Sequence, residues 1–184
     1  MAKPFNAVMH AFALLYNRLP GAYNGLVGAL GYSAPTLVAH ALAEELSQAQ
    51  KPAAINILDA GCGTGLTAQA VLQRFPGATV CGFDLSDKML AEARKTNRYA
   101  RLQTANATQA LPFDDNSFDA AVSSGLYTLG HVGPEALTPV LDTIKPGGLF
   151  ALNIYDAAWE ELHFEEAINQ LAAKGLLTVR AQER

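Results

Sequence analysis

The stretch ILDAGCGTGL at residues 57–66 constrains this chain more than any other. An apolar run ends in an acid, Asp59, and glycines stand at positions 61, 63 and 65. A strand that runs into such a turn can take up left-handed backbone and let a ligand come very close. The rest of the chain fixes the kind of sheet this strand joins. Apolar runs at 53–58, 78–83, 100–105, 118–124, 148–155 and 176–181 read as six short strands. Helical patterns lie between them. The first covers 33–47, with Ser33 as cap and Leu37, Val38, Ala41, Leu42 and Leu46 on one stripe. The second covers 65–75, turns Leu66, Ala70 and Val71 inward, and ends at Pro76-Gly77. The third is capped by Ser86 and buries Met89, Leu90 and Ala93. A short fourth opens on Thr138-Pro139. A fifth, capped by Asp156, carries Trp159, Leu162, Ile168 and Leu171 and stops at Gly175. Strands apolar on both faces are strands covered on both faces. The fold class is therefore α/β, with a mostly parallel sheet between two helical layers. In such a sheet the ligand crevice lies beyond the carboxyl ends of the strands, where the glycine turn sits.

The chain has 184 residues, half of them hydrophobic, which suits one domain. Residues 1–32 are glycine- and tyrosine-rich and read as an appended lid; residues 33–184 form the main domain. Thirteen basic residues stand against seventeen acidic ones, a net charge of −4, so nothing global attracts nucleic acid or an anionic membrane. The mixed run EARKTNRYAR at 92–101 reads as a solvated helix face. Cys62 and Cys81 lack metal-ligand spacing and read as free thiols in a reducing compartment. His10, His40 and His163 fall on predicted helices as packing or surface residues, and no metal site is expected. The first residues lack a signal-peptide pattern and no segment is apolar enough to span a membrane. The expectation is a cytoplasmic protein.

The glycine turn departs from both familiar phosphate-binding patterns. The dinucleotide fingerprint G-x-G-x-x-G needs glycine where Leu66 stands, and no Gly-Lys-Ser/Thr comes next as in a phosphate-binding loop. Asp59 at the mouth of the strand repels a pyrophosphate and suits a positive ligand. Asp84 closes the second strand nineteen residues past Gly65, the place from which an acid binds two ribose hydroxyls. These residues suit a ligand with a ribose, no pyrophosphate and a positive charge, and S-adenosylmethionine meets all three conditions. A nicotinamide-dependent oxidoreductase is the alternative enzyme, disfavoured by the glycine spacing, by Asp59 and by the lack of a Tyr-x-x-x-Lys pair. A non-catalytic module that keeps the cofactor as a structural ligand is the other alternative.

ILDAGCGTG, VCGFDLSDKML, LPFDDNSFDAAVSSG and IKPGGLFAL resemble, in this order, the motifs of the class I S-adenosylmethionine-dependent methyltransferases, over about residues 53–155. More narrowly, LGYSAPTLVAHAL, GLYTLGHVGPEAL and YDAAWEE resemble the methyltransferase-like proteins named after the Williams–Beuren syndrome region. The resemblance implies a Rossmann-like three-layer sandwich, S-adenosylmethionine as methyl donor, S-adenosylhomocysteine as product, and a small-molecule acceptor. It implies that Gly61, Cys62, Gly63 and Gly65 approach the methionine part of the cofactor and that Asp59 lies near its ammonium. Asp84 would hold the ribose, Leu85 and Met89 would flank the adenine, and Ala107 would offer its N–H to the ring. Asn106 stands where the family often has an acid and would accept from the adenine through its amide oxygen. Ser123, Ser124, Gly125, Leu126 and Tyr127 would floor the transfer site. His131 is the candidate general base for an acceptor hydroxyl or thiol, and Tyr23 or Tyr16 the candidate lid residue closing over the cofactor. Asn17 and Asn24 stand where relatives carry a lid acid. The Asn/Asp-Pro-Pro-Tyr/Phe motif of base methylation is missing, which speaks against nucleic acid as acceptor. The family's seventh strand, antiparallel between the fifth and sixth, has no counterpart in the sequence pattern. The expected sheet edge is unpaired and invites a homodimer.

Overall fold

The computed structural model describes residues 32–48 and 54–180. The lid tyrosines Tyr16 and Tyr23, Asn17, Asn24 and His10 lie outside the described residues, and of the segment 1–32 only Tyr32 is described. Five strands form one parallel sheet in the order β3-β2-β1-β4-β5: β1 Asn56–Ala60, β2 Thr79–Asp84, β3 Arg101–Thr104, β4 Phe118–Tyr127 and β5 Ile144–Ile154. Helices α1 Ala34–Gln48, α2 Leu66–Arg74, α3 Asp87–Lys95, α4 Leu137–Thr143, α5 Asp156–Glu161 and α6 Phe164–Ala173 flank it. The central strand shows why its sequence is apolar throughout. Ile57 packs with Val38, Leu42 and Val71 of α1 and α2, while the next residue, Leu58, packs on the opposite face with Phe83, Tyr127 and Phe164. Two cores thus sandwich the sheet, and the chain reverses direction between β1 and β4, the switch point.

Several local expectations hold. Ser86 caps α3 by accepting from the Met89 N–H at 3.4 Å, and Met89, Leu90 and Ala93 are buried. Gly175, at φ 72°, takes the left-handed position just past α6. Other elements differ. On α1 the buried set is Val38, Ala39, Leu42 and Leu46; Leu37 is 62% exposed and Ala41 is also exposed, because the stripe is turned by one residue from the one expected. The helix after β4 does not open on Thr138-Pro139: a short 3-10 turn at Pro134–Ala136, with Pro134 in its first position, leads directly into α4. The helix after β5 is two helices, broken where His163 adopts φ 55°, so that Phe164 can enter the core against Tyr127 and Trp159. His163 is therefore a turn residue. The expected sixth strand is not formed over residues 176–180, and Leu176 and Val179 are about half exposed. In the arrangement the resemblance implies, that strand pairs with the seventh and not with β5, and among the described residues no strand lies beside it. Among the described residues β5 is the edge of the sheet.

The KPGG segment is drawn into β5. Phe118 pairs with Ile144, then the register slips and pairing resumes at Ala120 with Leu149. Lys145 uses the slip to reach Asp119, Nζ to Oδ1 at 2.7 Å. A Cβ on Gly148 would collide with Ile144 and lie 2.8 Å from the Asp119 carbonyl oxygen. Gly148→Ala is therefore expected to cost about 1–3 kcal/mol in urea unfolding, the range for forcing atoms into a packed site. An unchanged midpoint would show that the slip is not packed this tightly.

Candidate functional site

A cavity of about 360 Å³ opens at the carboxyl ends of the strands, between the turns after β1, β2, β3 and β4. Asp84 holds its centre. The side chain is 4% exposed, yet it borders the cavity. Its Oδ2 accepts from the Gly63 N–H at 2.9 Å and its Oδ1 from the Ser86 N–H at 2.8 Å. The Cys62 N–H donates to the Phe83 carbonyl at 2.8 Å. One carboxylate thus ties the glycine turn, the end of β2 and the cap of α3 together. The turn itself requires glycine: Gly61 has φ 68° and would set a Cβ 3.0 Å from Leu126, and Gly65 has φ 92° with the Tyr99 ring 3.1 Å from its would-be Cβ.

Asp59 lies on the α1/α2 side of β1, fully buried. Its Oδ2 accepts from the Tyr99 hydroxyl at 2.7 Å, and among the described residues no donor lies within normal hydrogen-bond geometry of its Oδ1. Burial pushes the carboxyl up from the usual 3.8 to about 7; the Tyr99 hydroxyl and then the Ala68 amide offset part of this, and the charge of Asp84 adds to it. Burial also raises the Cys62 thiol well above its ordinary value, with the Asp59 and Asp84 charges next, so Cys62 is an unreactive thiol. No lysine or arginine borders the cavity among the described residues. The site is negative where a phosphate-binding site is positive.

The sequence-predicted residues divide. Gly61, Cys62, Gly63, Asp84, Leu85, Asn106, Ala107, Leu126 and His131 all border the cavity. Asp59, Gly65, Met89 and Ser123 do not. Met89 is wholly in the core, and Ser123 is buried with its hydroxyl donating to the Ala60 carbonyl at 2.9 Å. Asn106 differs in detail from its expected role. Its Oδ1 already accepts from the Thr108 N–H and the Thr108 hydroxyl, each at 3.0 Å, which leaves the donor end, Nδ2, for other partners. His131 stands in the turn after β4 with Nδ1 3.2 Å from the Gly125 carbonyl oxygen.

Four contributors, Tyr32, Thr67, Tyr99 and Asn153, carry little or no signal in the sequence. Tyr32, at the start of α1, borders the cavity, and its hydroxyl lies 2.7 Å from where a Gly125 Cβ would be. Thr67 of α2 and Ser124 of β4 share a hydrogen bond of 2.7 Å across the wall. Tyr99 belongs to the run expected to be solvated, yet its ring passes behind the glycine turn. Asn153 of β5 accepts from the Gly125 N–H at 3.0 Å. A tyrosine among charged residues is a weak sign of burial; no periodicity marks the other three. Among the described residues no three His, Cys, Asp or Glu side chains gather as a metal site.

A family model described as a methyltransferase domain matches residues 57–148, half of the chain. The chain belongs to the class I S-adenosylmethionine-dependent methyltransferase family. Methyltransferase-like protein 27 of Homo sapiens, the Williams–Beuren region protein, is 35% identical over 155 residues, which are 83% of this chain and 61% of that protein. Malonyl-[acyl-carrier protein] O-methyltransferase of Erwinia pyrifoliae is 36% identical over 136 residues, 70% of this chain and 51% of the relative. The chain thus spans about half to three-fifths of the length of these curated relatives. A TehB-like S-adenosylmethionine-dependent methyltransferase from Corynebacterium glutamicum shares the fold, at 24% identity and TM-score 0.56, over 70% of this chain and 71% of that one.

The buried acid makes stability depend on pH. The folded-state value of Asp59 lies above its unfolded value, so the group costs nothing below about pH 4 and its cost grows as the pH rises to about 7. Asp59→Asn is expected to exceed the parent chain in stability by about 2–4 kcal/mol at pH 8, the difference shrinking toward pH 4. Urea unfolding at both pH values measures this, and a difference independent of pH would contradict it.

Proposed function

We propose that this chain transfers a methyl group from S-adenosylmethionine to a hydroxyl or thiol of a small molecule. The observation that carries the reading is the pairing of Asp84, fixed by two backbone N–H groups at the cavity rim, with a site free of lysine and arginine among the described residues. The residues present fit the cofactor. A carboxylate oxygen accepts more than one hydrogen bond, so Asp84 can serve the glycine turn and the ribose hydroxyls together. The orphaned Oδ1 of Asp59 beneath the turn favours a ligand with positive charge. When bound, the cofactor supplies an activated methyl group carried on a positively charged sulfur.

The chain's own residues do the rest. Gly61 and Gly63 bring backbone against the methionine part, and Leu85 covers the base while Asn106 and Ala107 donate to it. Tyr32, Ser124 and Leu126 shape the acceptor end. His131 borders that end and takes the acceptor's proton as general base. Much of the rate comes from holding the acceptor atom in line with the methyl group. Among the described residues no lysine or arginine borders the cavity to pair with an anionic acceptor, so an acceptor neutral at its reacting group suits this wall. The reading favours neither nucleic acid nor membrane as partner. No helix among the described residues is long and apolar enough to cross a membrane, and the free thiols Cys62 and Cys81 support a cytoplasmic setting.

Calorimetric titration tests the reading. S-adenosylmethionine and S-adenosylhomocysteine are expected to bind with Kd on the order of micromolar, and NAD not at all. Asp84→Asn should weaken both ligands by roughly ten- to a hundredfold, as loss of a charged hydrogen-bond acceptor does. Binding of NAD alone would overturn the assignment.

A further inference from the structure

Gly82 lies inside β2, beside Asp59 of β1 in the sheet register. A glycine weakens a strand there and marks a close approach. What approaches is the Tyr99 ring. A Cβ on Gly82 would lie 2.9 Å from one ring edge, at Cε1, and a Cβ on Gly65 would lie 3.1 Å from the other, at Cε2. The ring is thus clamped between a strand and the glycine turn, and its hydroxyl donates to Asp59 Oδ2 at 2.7 Å. The residue before it, Arg98, donates from Nη1 to the Gly65 carbonyl at 3.4 Å. Tyr99 itself does not border the cavity. We propose that Tyr99 is a positioning residue for the ammonium end of S-adenosylmethionine, acting through Asp59 beneath the glycine turn. The ligand rests on the methyltransferase reading; the coupling of Tyr99 to Asp59 does not.

A buried carboxylate keeps its charge only with donors close by. Burial drives Asp59 toward the neutral acid, and the Tyr99 hydroxyl is the strongest interaction that opposes this, ahead of the Ala68 amide of α2. Burial and then the Asp59 charge keep the proton on Tyr99 well above the ordinary tyrosine range, so the hydroxyl stays a donor. The titratable groups facing Asp59 are Tyr99 from the loop before β3, Cys62 of the turn and Asp84 at the end of β2. Burial holds Cys62 protonated, so it adds no charge, whereas the Asp84 charge works with burial against the Asp59 carboxylate. Without the Tyr99 hydroxyl, Asp59 would keep its proton to higher pH, and the ammonium would meet a neutral acid near pH 7. A ring that only filled space would leave that pH unchanged. Tyr99→Phe separates the two roles, because it keeps the ring between the glycines and removes only the donor.

Calorimetric titration of the whole chain with S-adenosylhomocysteine between pH 6 and pH 8 reads the coupling. This ligand carries the ammonium without the sulfonium charge. In the parent chain, affinity is expected to rise about five- to tenfold over this range as Asp59 ionises. Tyr99→Phe should bind about three- to tenfold more weakly at pH 7 and within about threefold of the parent at pH 8, the rise having moved to higher pH. Asp59→Asn should flatten the profile, and Tyr99→Phe added to it should bring no pH dependence back. That arm separates Asp59 from His131, which borders the cavity. Urea unfolding reads the same coupling without ligand. The stability deficit of Tyr99→Phe should grow as the pH rises above about 7, because its Asp59 keeps the proton longer in the folded chain. Equal weakening of binding by Tyr99→Phe at every pH would overturn the proposal, as would a pH profile that survives Asp59→Asn. If Tyr99→Phe does not fold, the double variant should fold and bind with a flat profile, because no buried charge is left without its donor. Failure of the double variant to fold would overturn the proposal. Failure of the parent chain to bind S-adenosylhomocysteine at any pH would overturn the methyltransferase reading, and the unfolding result would still decide the link between Tyr99 and Asp59.

Discussion

The two hydrogen bonds from the Gly63 and Ser86 amides to Asp84 organise everything above the sheet. Two strands end side by side, and each must turn back into a helix. The Cys62 N–H bond to the Phe83 carbonyl ties the two turns once, and a common acceptor for both fixes their separation further. The Asp84 carboxylate supplies one, and hydrogen bonds to a charged group are about twice as strong as neutral ones. The cap of α3 and the entry to α2 are thereby set against each other, with the cavity above them. The residue that shapes the site is also the one proposed to bind the ribose, so recognition and architecture share one group.

The second constraint is charge. Asp59 and Asp84 place two acids at the ends of adjacent strands, and no lysine or arginine among the described residues borders the cavity to offset them. A buried acid with an orphaned oxygen destabilises the folded chain above neutral pH. Such a cost persists where the charge has a use. The use proposed here is attraction of a cationic ligand, a charge that also disfavours the pyrophosphate that a sheet of this kind can otherwise hold. In the proposed reading, these acids and Leu66 in place of a glycine set the choice between two kinds of cofactor on one fold.

Local chemistry is readable from the sequence where it depends on a residue's immediate neighbours. The Ser86 cap, the buried set Met89, Leu90 and Ala93, the glycine turn and the parallel order of strands all arise from spacing and composition. The features that are not readable depend on distant partners. Nothing near Tyr99 in sequence says that its hydroxyl meets Asp59, forty residues earlier. Asn153 reads as an ordinary strand residue until the slip in β4 is seen. The break at His163 has no glycine or proline to announce it; Phe164 enters the core and the backbone yields. Residues 176–180 stay out of the sheet for a related reason, since an apolar run becomes a strand only when another strand is there to pair with it, and none lies beside them among the described residues. The oxygen of Asn106 looks available in the sequence, but a threonine two residues on has claimed it.

The most direct measurement is a crystal structure of the chain with S-adenosylhomocysteine. The ribose hydroxyls are expected on Asp84, the amino-acid end over Gly61 and Gly63, and the Gly63 and Ser86 amides still bonded to the same carboxylate. A ligand seated elsewhere, or one that displaces the glycine turn from Asp84 in order to bind, would contradict the central role given to that carboxylate.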